Sequence, residues 1–409
     1  MGYRIEVRDR NLRRVGEIDT WIKLDFTVRF SQQGSWMLLI KSGTEQADLL
    51  EKGGGVAIFQ DGVPEPVLTG QIESFQNYWT VQQHTEGGSL YVGGRCDNKI
   101  AYSRLAWPDF DRPISQQYKA PESRSVSGPA GGLIWKELNR SVGGGALPDR
   151  RLPGVTTGDT NLIGSQVADS LRFDLIGTKL EEWTAGRDVG YRFVYNPNTR
   201  KIDLRIYQPR DLSKKIRFSK DLGNLREFVW TLTAPRVTRV IVACQGDGAE
   251  RYIYQQVDAE AEYEWGVSIE QFVDRRDLPL KTDPATGLPM KATPDVADAD
   301  FENAKKAVIS AAETVLTEGA KNGNFQIYPI DTPQCTFGRD YFVGDIVTVS
   351  IDGTEYTDIL REVVISVEDG GKTTSVAPKI GDQGTGNPLN LYKTVFELRE
   401  KLRRLEARK

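Results

Sequence analysis

Between Trp21 and Phe30 the chain alternates without a break. Ile22, Leu24, Phe26, Val28 and Phe30 are apolar, and Lys23, Asp25, Thr27 and Arg29 are polar. A period of two over that length predicts a strand with one buried and one wet face. "GSWMLLIK" (34–41), "VAIFQDGVPEPVLTGQIESF" (56–75) and "SLYVGGR" (89–95) continue the strand-like pattern, with Asp61-Gly62 as a tight hairpin turn. Residues 1–100 therefore read as a first antiparallel β-domain.

The pattern then changes. "AYSRLAWPDFDRPISQQYKAPESRSVSGPAGG" (101–132) is rich in Pro, Ser and Gly and predicts a loop over the surface. Two helical stretches follow, "GLIWKELNRSV" (132–142) and "GSQVADSLRFDLIGTKLEEW" (164–183). The second places Val167, Leu171, Leu175 and Leu180 near one helix face. "YRFVYNPNTRKIDLRIY" (191–207) reads as a hairpin turning at Asn-Pro-Asn. Residues 101–222 are thus an α+β insertion.

Strands resume from about 223 to 381. "EFVWTLTAPRVTRVIVACQGDGAERYIYQQV" (227–257) turns at Gly246-Asp247-Gly248. A Pro-studded loop spans 276–298. A helix follows at about 300–319, with Asp300 as a possible N-cap and Ala304, Val308, Ala311 and Val315 on its apolar face. "DIVTVSIDGTEYTDILREVVISVEDGG" (345–371) and "TTSVAPKI" (373–380) close this second β-rich region. The fold class expected is mainly β with an α+β insertion.

After the Gly-rich hinge "GDQGTGNP" (381–388), residues 382–409 break the β pattern. Leu391, Val395, Leu398, Leu402 and Leu405 repeat at spacings of 4, 3, 4 and 3, the seam of a short coiled coil. With Leu391, Leu398 and Leu405 at d, Lys401 falls at g and Glu406 at the following e, an attractive interchain pair in a parallel assembly. The stripe needs a cover. A helix docked back on its own domain would supply one. Self-association is the expectation favoured here, because the hinge detaches the helix and its remaining faces are charged. The heptads allow a dimer or a trimer.

Composition narrows the chemistry. The formal charge is −4, but residues 391–409 carry +4, leaving −8 on the rest. The mean hydropathy is −0.44 and no apolar run is long enough to cross a bilayer. The start "MGYRIEVRDRNLRR" lacks the apolar core of a secretory signal, so synthesis in a cytoplasm without a signal peptide is expected. Cys96, Cys244 and Cys335 are far apart and read as free thiols.

The one histidine, His84, sits in "QQHTEGGS", a hairpin tip beside two glycines and a poor place for a rigid catalytic base. Scattered Cys and a single His leave no zinc set, and the acidic run from Asp283 to Asp300 lacks calcium-loop spacing. "EDGGKTT" (368–374) imitates the end of a phosphate-binding loop, but Ser366 stands where its first glycine belongs, and a hairpin turn is expected. No catalytic, cofactor-binding or metal-binding residue is assigned. The tryptophans form no stripe and are expected in cores or interfaces. A carboxylate pair for a hydrolase is not identifiable among 57 acidic residues.

Several stretches in order resemble the tail-tip (baseplate) hub or minor tail proteins of long-tailed bacteriophages, especially those of actinobacteria. They are "GSWMLLI…ADLLEKGGGVAIFQDG…VLTGQIESF", "DNKIAYSRLAWPDF", "GRDYFVGDIVTVSIDG" and "LREVVISVEDGG…SVAPKIG". The lack of a catalytic constellation makes a non-enzymatic protein the expectation, and the resemblance implies a homotrimeric virion protein at the tail tip. Each subunit would contribute two tail-tube-like β-domains, matching the sixfold tube to a threefold tip and closing the channel until DNA ejection. The implied partners are two further copies, distal tail and tail-tube proteins, other tail-tip or receptor-binding proteins and the tape-measure protein, with genomic DNA in transit. A phage-like injection particle would use the same hub. The alternatives are a tail-associated cell-wall hydrolase and a carbohydrate-binding adhesin.

Overall fold

The alternating segment forms the strand Lys23–Arg29, with Leu24, Phe26 and Val28 buried. Both of its edges are paired in the computed structural model. Ser35–Lys41 lies antiparallel on one side, with Phe26 opposite Trp36, and Thr354–Glu368 lies antiparallel on the other, with Phe26 opposite Ile365. The described residues are 2–79, 88–185, 188–244, 252–276, 281–282, 289–290, 305, 308–313, 315–316, 319, 322–330, 332, 334–351, 353–371 and 373–380.

The sheet built on this strand has eight members. Its order is Arg217–Ser219, Ile346–Ile351, Thr354–Glu368, Lys23–Arg29, Ser35–Lys41, Ser89–Arg95 and Ser74–Tyr78, with Thr373–Ile380 also paired to Thr354–Glu368. A second, four-stranded sheet runs Arg14–Ile18, Tyr3–Arg8, Gly55–Gln60 and Leu68–Gln71. Gly55–Gln60 is buried along its whole length, which is why it reads as a continuous apolar run and not as an alternation. The fold is mainly β.

The described residues divide into two compact units, one within 1–228 and 326–382 and the other within 229–325. Segment 223–381 is thereby shared between them. In the first unit the core of the α+β segment is continuous with the four-stranded sheet. Leu133, Ile134 and Leu138 from the helix Ala130–Ser141, and Leu180 and Trp183 from Ile176–Thr184, pack in one cluster with Ala57 and Phe59 of the four-stranded sheet.

Two sequence expectations are corrected in this segment. Residues 164–183 are not one helix: Gln166–Leu171 is a strand and only Ile176–Thr184 is helical. Phe173 between them has φ of +57°, which a right-handed helix does not contain. Leu175 is accordingly 47% exposed while Leu171 is buried. The strand pairs with Arg124–Pro129, which lies inside the stretch expected to be a surface loop. That stretch also buries Trp107, Phe110 and Val126. Its Pro and Gly content marks frequent changes of direction rather than exposure.

In the second unit, Arg239–Ala243 lies between antiparallel Ile253–Val257 and parallel Glu270–Asp274. Val240, Val242 and Cys244 pack with Val308 and Ala312, part of the helical run expected near 300–319. Ala304 and Asp300 lie outside the described residues. The helix Ala259–Trp265 is capped by the Asp258 side chain, which accepts from Ala261 N at 3.0 Å, and ends at Gly266 in the left-handed region.

Candidate assembly surface

The wet face of the eight-stranded sheet carries a set of paired charges. Glu362 lies opposite both Arg29 and Lys379 in the strand registers. Its carboxylate accepts from Arg29 Nε at 2.5 Å and from Lys379 Nζ at 2.5 Å. Burial pushes the Glu362 carboxyl up, but its two cationic neighbours outweigh that and hold it below the ordinary carboxylate range. Ser366 Oγ donates to Asp25 at 2.6 Å, and Lys23 Nζ lies 3.3 Å from Glu368. The hydrogen bond to Glu368 raises the Lys23 ammonium above its usual value. These pairs neutralise the middle of the face.

The edge differs. All five residues of Ser74–Tyr78 are exposed, and among the described residues the strand is terminal in its sheet. Phe75 is 39% exposed, Tyr78 48% and the following Trp79 63%. Phe75 lies opposite Val92 and Tyr78 opposite Ser89, so the two aromatics project from opposite faces of the edge. An open strand edge flanked by aromatic rings on both faces is a surface that another polypeptide can extend or grip. Sequence reasoning missed it. Its available signal is three aromatics crowded into the otherwise polar "ESFQNYWT".

The seam residues Leu391, Val395, Leu398, Leu402 and Leu405 lie outside the described residues, as do His84 and the acidic positions Asp283, Asp295, Asp298 and Asp300. Cys96, Cys244 and Cys335 are not in disulfides. Burial pushes the Cys96 thiol up to about 11, which makes it a poor nucleophile. Gly370 and Gly371 take positive φ in a turn joining Thr354–Glu368 to Thr373–Ile380, with Glu368 opposite Thr373. The phosphate-loop imitation is therefore a hairpin turn. Trp107 and Trp183 are buried, so they do not join Trp79 on the surface. Among the described residues no group of acidic, His and Cys side chains is placed to hold a metal ion, and no helix is long and apolar enough to cross a membrane.

This scaffold is similar to that of two tail proteins, one of them from a prophage. The 43 kDa tail protein of prophage MuSo2 from Shewanella oneidensis superposes with a TM-score of 0.52 at 11% identity, covering 93% of this chain and 98% of that one. The tail protein from Neisseria meningitidis MC58 gives 0.51 at 14% identity, covering 94% and 98%. At these identities the likeness is one of fold. Residues 4–382 match the family described as Siphovirus ReqiPepy6 Gp37-like protein, and the chain belongs to that family. None of the curated proteins matches it significantly.

Proposed function

We propose that the protein is a structural component of a phage tail: a homotrimeric hub at the distal end of the tail tube, located at the virion tail tip. The observation that carries this reading is the two-way coverage with the prophage tail protein, 93% of this chain and 98% of that one, since the whole scaffold is shared and not one module. The hub adapts the sixfold tube to a threefold tip and closes the channel until DNA is ejected. Its partners are two further copies, the tail-tube and distal tail proteins, other tail-tip or receptor-binding proteins and the tape-measure protein. DNA is met only in passage. The reading is non-enzymatic.

Two features support self-assembly. One is the aromatic edge at Phe75, Tyr78 and Trp79. The other is the sequence seam Leu391, Val395, Leu398, Leu402 and Leu405, which we assign to a clasp about the threefold axis. An adhesin would be supported by several tryptophans on one exposed face, and the burial of Trp107 and Trp183 counts against it.

The test is solution mass by light scattering, for the full chain and for a chain ending at residue 381. A mass near three times 45.7 kDa that falls on truncation supports the trimer and its clasp. A normal trimer after truncation removes the clasp, and a full-length monomer that also fails to assemble with tail-tube protein removes the hub. Clearing of host cell walls by the purified chain in a turbidity assay would overturn the non-enzymatic reading.

A further inference from the structure

The first unit holds a cavity of about 530 Å³ that contains none of the residues of the aromatic edge. Its polar wall comes from the hairpin Gly190–Asn196 and Lys201–Tyr207, in which Arg192 lies directly opposite Arg205. Like charges opposite one another in a ladder are destabilising unless an anion bridges them. Here the bridge is Glu65, whose two oxygens accept from Arg192 Nη2 at 2.9 Å and from Arg205 Nη1 at 2.5 Å. A third guanidinium on the wall, Arg210, forks onto Asp345 at 2.8 and 2.5 Å. Three guanidiniums thus face two carboxylates, and the cavity has a surplus of one positive charge.

Glu65 is an unusual bridge. Its side chain is 48% exposed and it stands between Pro64 and Pro66 on a surface loop. The two prolines fix φ on either side of it, and the chain bends at Pro64 and Glu65. Beside the arginines the cavity is lined by Val63, Val343 and the ring of Phe342, over which Arg192 lies at 5.0 Å. The site therefore already holds one carboxylate on a short proline-flanked segment with apolar neighbours. A cavity of this size has room for a small ligand.

We infer that this cleft receives an acidic side chain carried on a proline-flanked peptide segment of a partner protein, which shares or takes over the arginines that Glu65 bridges. Arginine forks match carboxylate geometry, and the apolar lining takes the neighbouring aliphatic side chain. Glu65 acts as an internal competitor. The inference does not depend on the trimeric hub.

The test uses the full-length chain and a fluorescein-labelled peptide, Val-Pro-Glu-Pro-Val with blocked ends, read by fluorescence anisotropy. Its Gln-for-Glu analogue and glycerol phosphate are the comparison ligands. The Glu peptide is expected to bind saturably and the Gln peptide at least about tenfold more weakly, because charge-assisted hydrogen bonds are lost. Glu65→Gln, which removes the competitor, should tighten Glu-peptide binding about tenfold, and Arg205→Gln should weaken it by a similar factor. Since Glu65→Gln predicts a gain, misfolding cannot imitate success. Equal binding of the two peptides, no change on Glu65→Gln, or no peptide binding at all overturns the inference. So does binding of glycerol phosphate without the peptide, which would reassign the cleft to phosphate-bearing ligands.

Discussion

Arg8 and Asp97, 89 residues apart, meet at 2.6 Å with each side chain only 3% exposed. Thr69 Oγ donates to the other Asp97 oxygen at 2.6 Å while accepting from Tyr195 N at 3.2 Å. The Arg8 guanidinium lies 4.8 Å from the Tyr195 ring centroid. One polar knot therefore joins the four-stranded sheet to the strand Gly190–Asn196. Breaking a buried pair from one side strands a charge, so Asp97→Ala should lose about 3–5 kcal/mol of unfolding free energy in urea titrations. The double change Arg8→Met with Asp97→Leu should lose less than Asp97→Ala alone. A double variant no better than the single would show that the knot is needed for more than charge balance.

Glu362 gives a pH dependence whose sign follows from its lowered value. A carboxyl held below its usual value contributes stability that is fully present above the reference value of 4.5, and it is lost as pH falls through the lowered folded value. Glu362→Gln should therefore cost about 1.5–3 kcal/mol at pH 7. The gap between wild type and variant should hold down to about pH 4.5 and close below it. Urea midpoints at pH 7, 5, 4 and 3 measure this directly.

Gly177 is fixed by close approach. A Cβ there would stand 2.4–2.6 Å from ring atoms of Tyr102, whose hydroxyl is held by Glu181. Alanine is normally the better helix former by about 1 kcal/mol. Here the clash should reverse the sign, with Gly177→Ala losing about 1–3 kcal/mol in thermal or urea unfolding. A stabilised variant would mean that the Tyr102 ring moves freely.

The aromatic edge should be separable from stability. Tyr78→Asp with Trp79→Asp places two charges on exposed positions, and unfolding free energy should change by about 0.5 kcal/mol or less per site. If the edge is a subunit contact, light scattering will show a fall in mass in the same variant. An unchanged oligomer would leave the edge for another tail protein.

The parts of the fold legible in the sequence were those that obey a local rule. Leu24, Phe26 and Val28 announce a half-buried strand by alternation alone. The Asn-Pro-Asn turn announces the hairpin in which Asn196 lies opposite Lys201, and that register places Arg192 opposite Arg205. What failed was arbitration between periods. Val167, Leu171, Leu175 and Leu180 fit a helical face on paper, yet Val167 and Leu171 belong to a strand whose partner was hidden in a segment read as loop. The long-range contacts had no local signal. Nothing near Glu65 names Arg205, 140 residues away, and nothing near Arg29 names Glu362. The aromatic edge was passed over because aromatics are by default core residues.

The pairing of Lys23–Arg29 with Thr354–Glu368 sets a schedule for synthesis. The eight-stranded sheet cannot close at its centre until more than 330 residues beyond Arg29 have left the ribosome. At about 5–20 residues per second, that strand waits on the order of 15–70 s with one hydrogen-bonding edge unsatisfied. Throughout that interval the nascent chain offers an open template beside apolar side chains. Slower translation or a crowded polysome would then favour pairing between neighbouring nascent chains, so yield of the native protein should fall with expression rate sooner than its final stability would suggest.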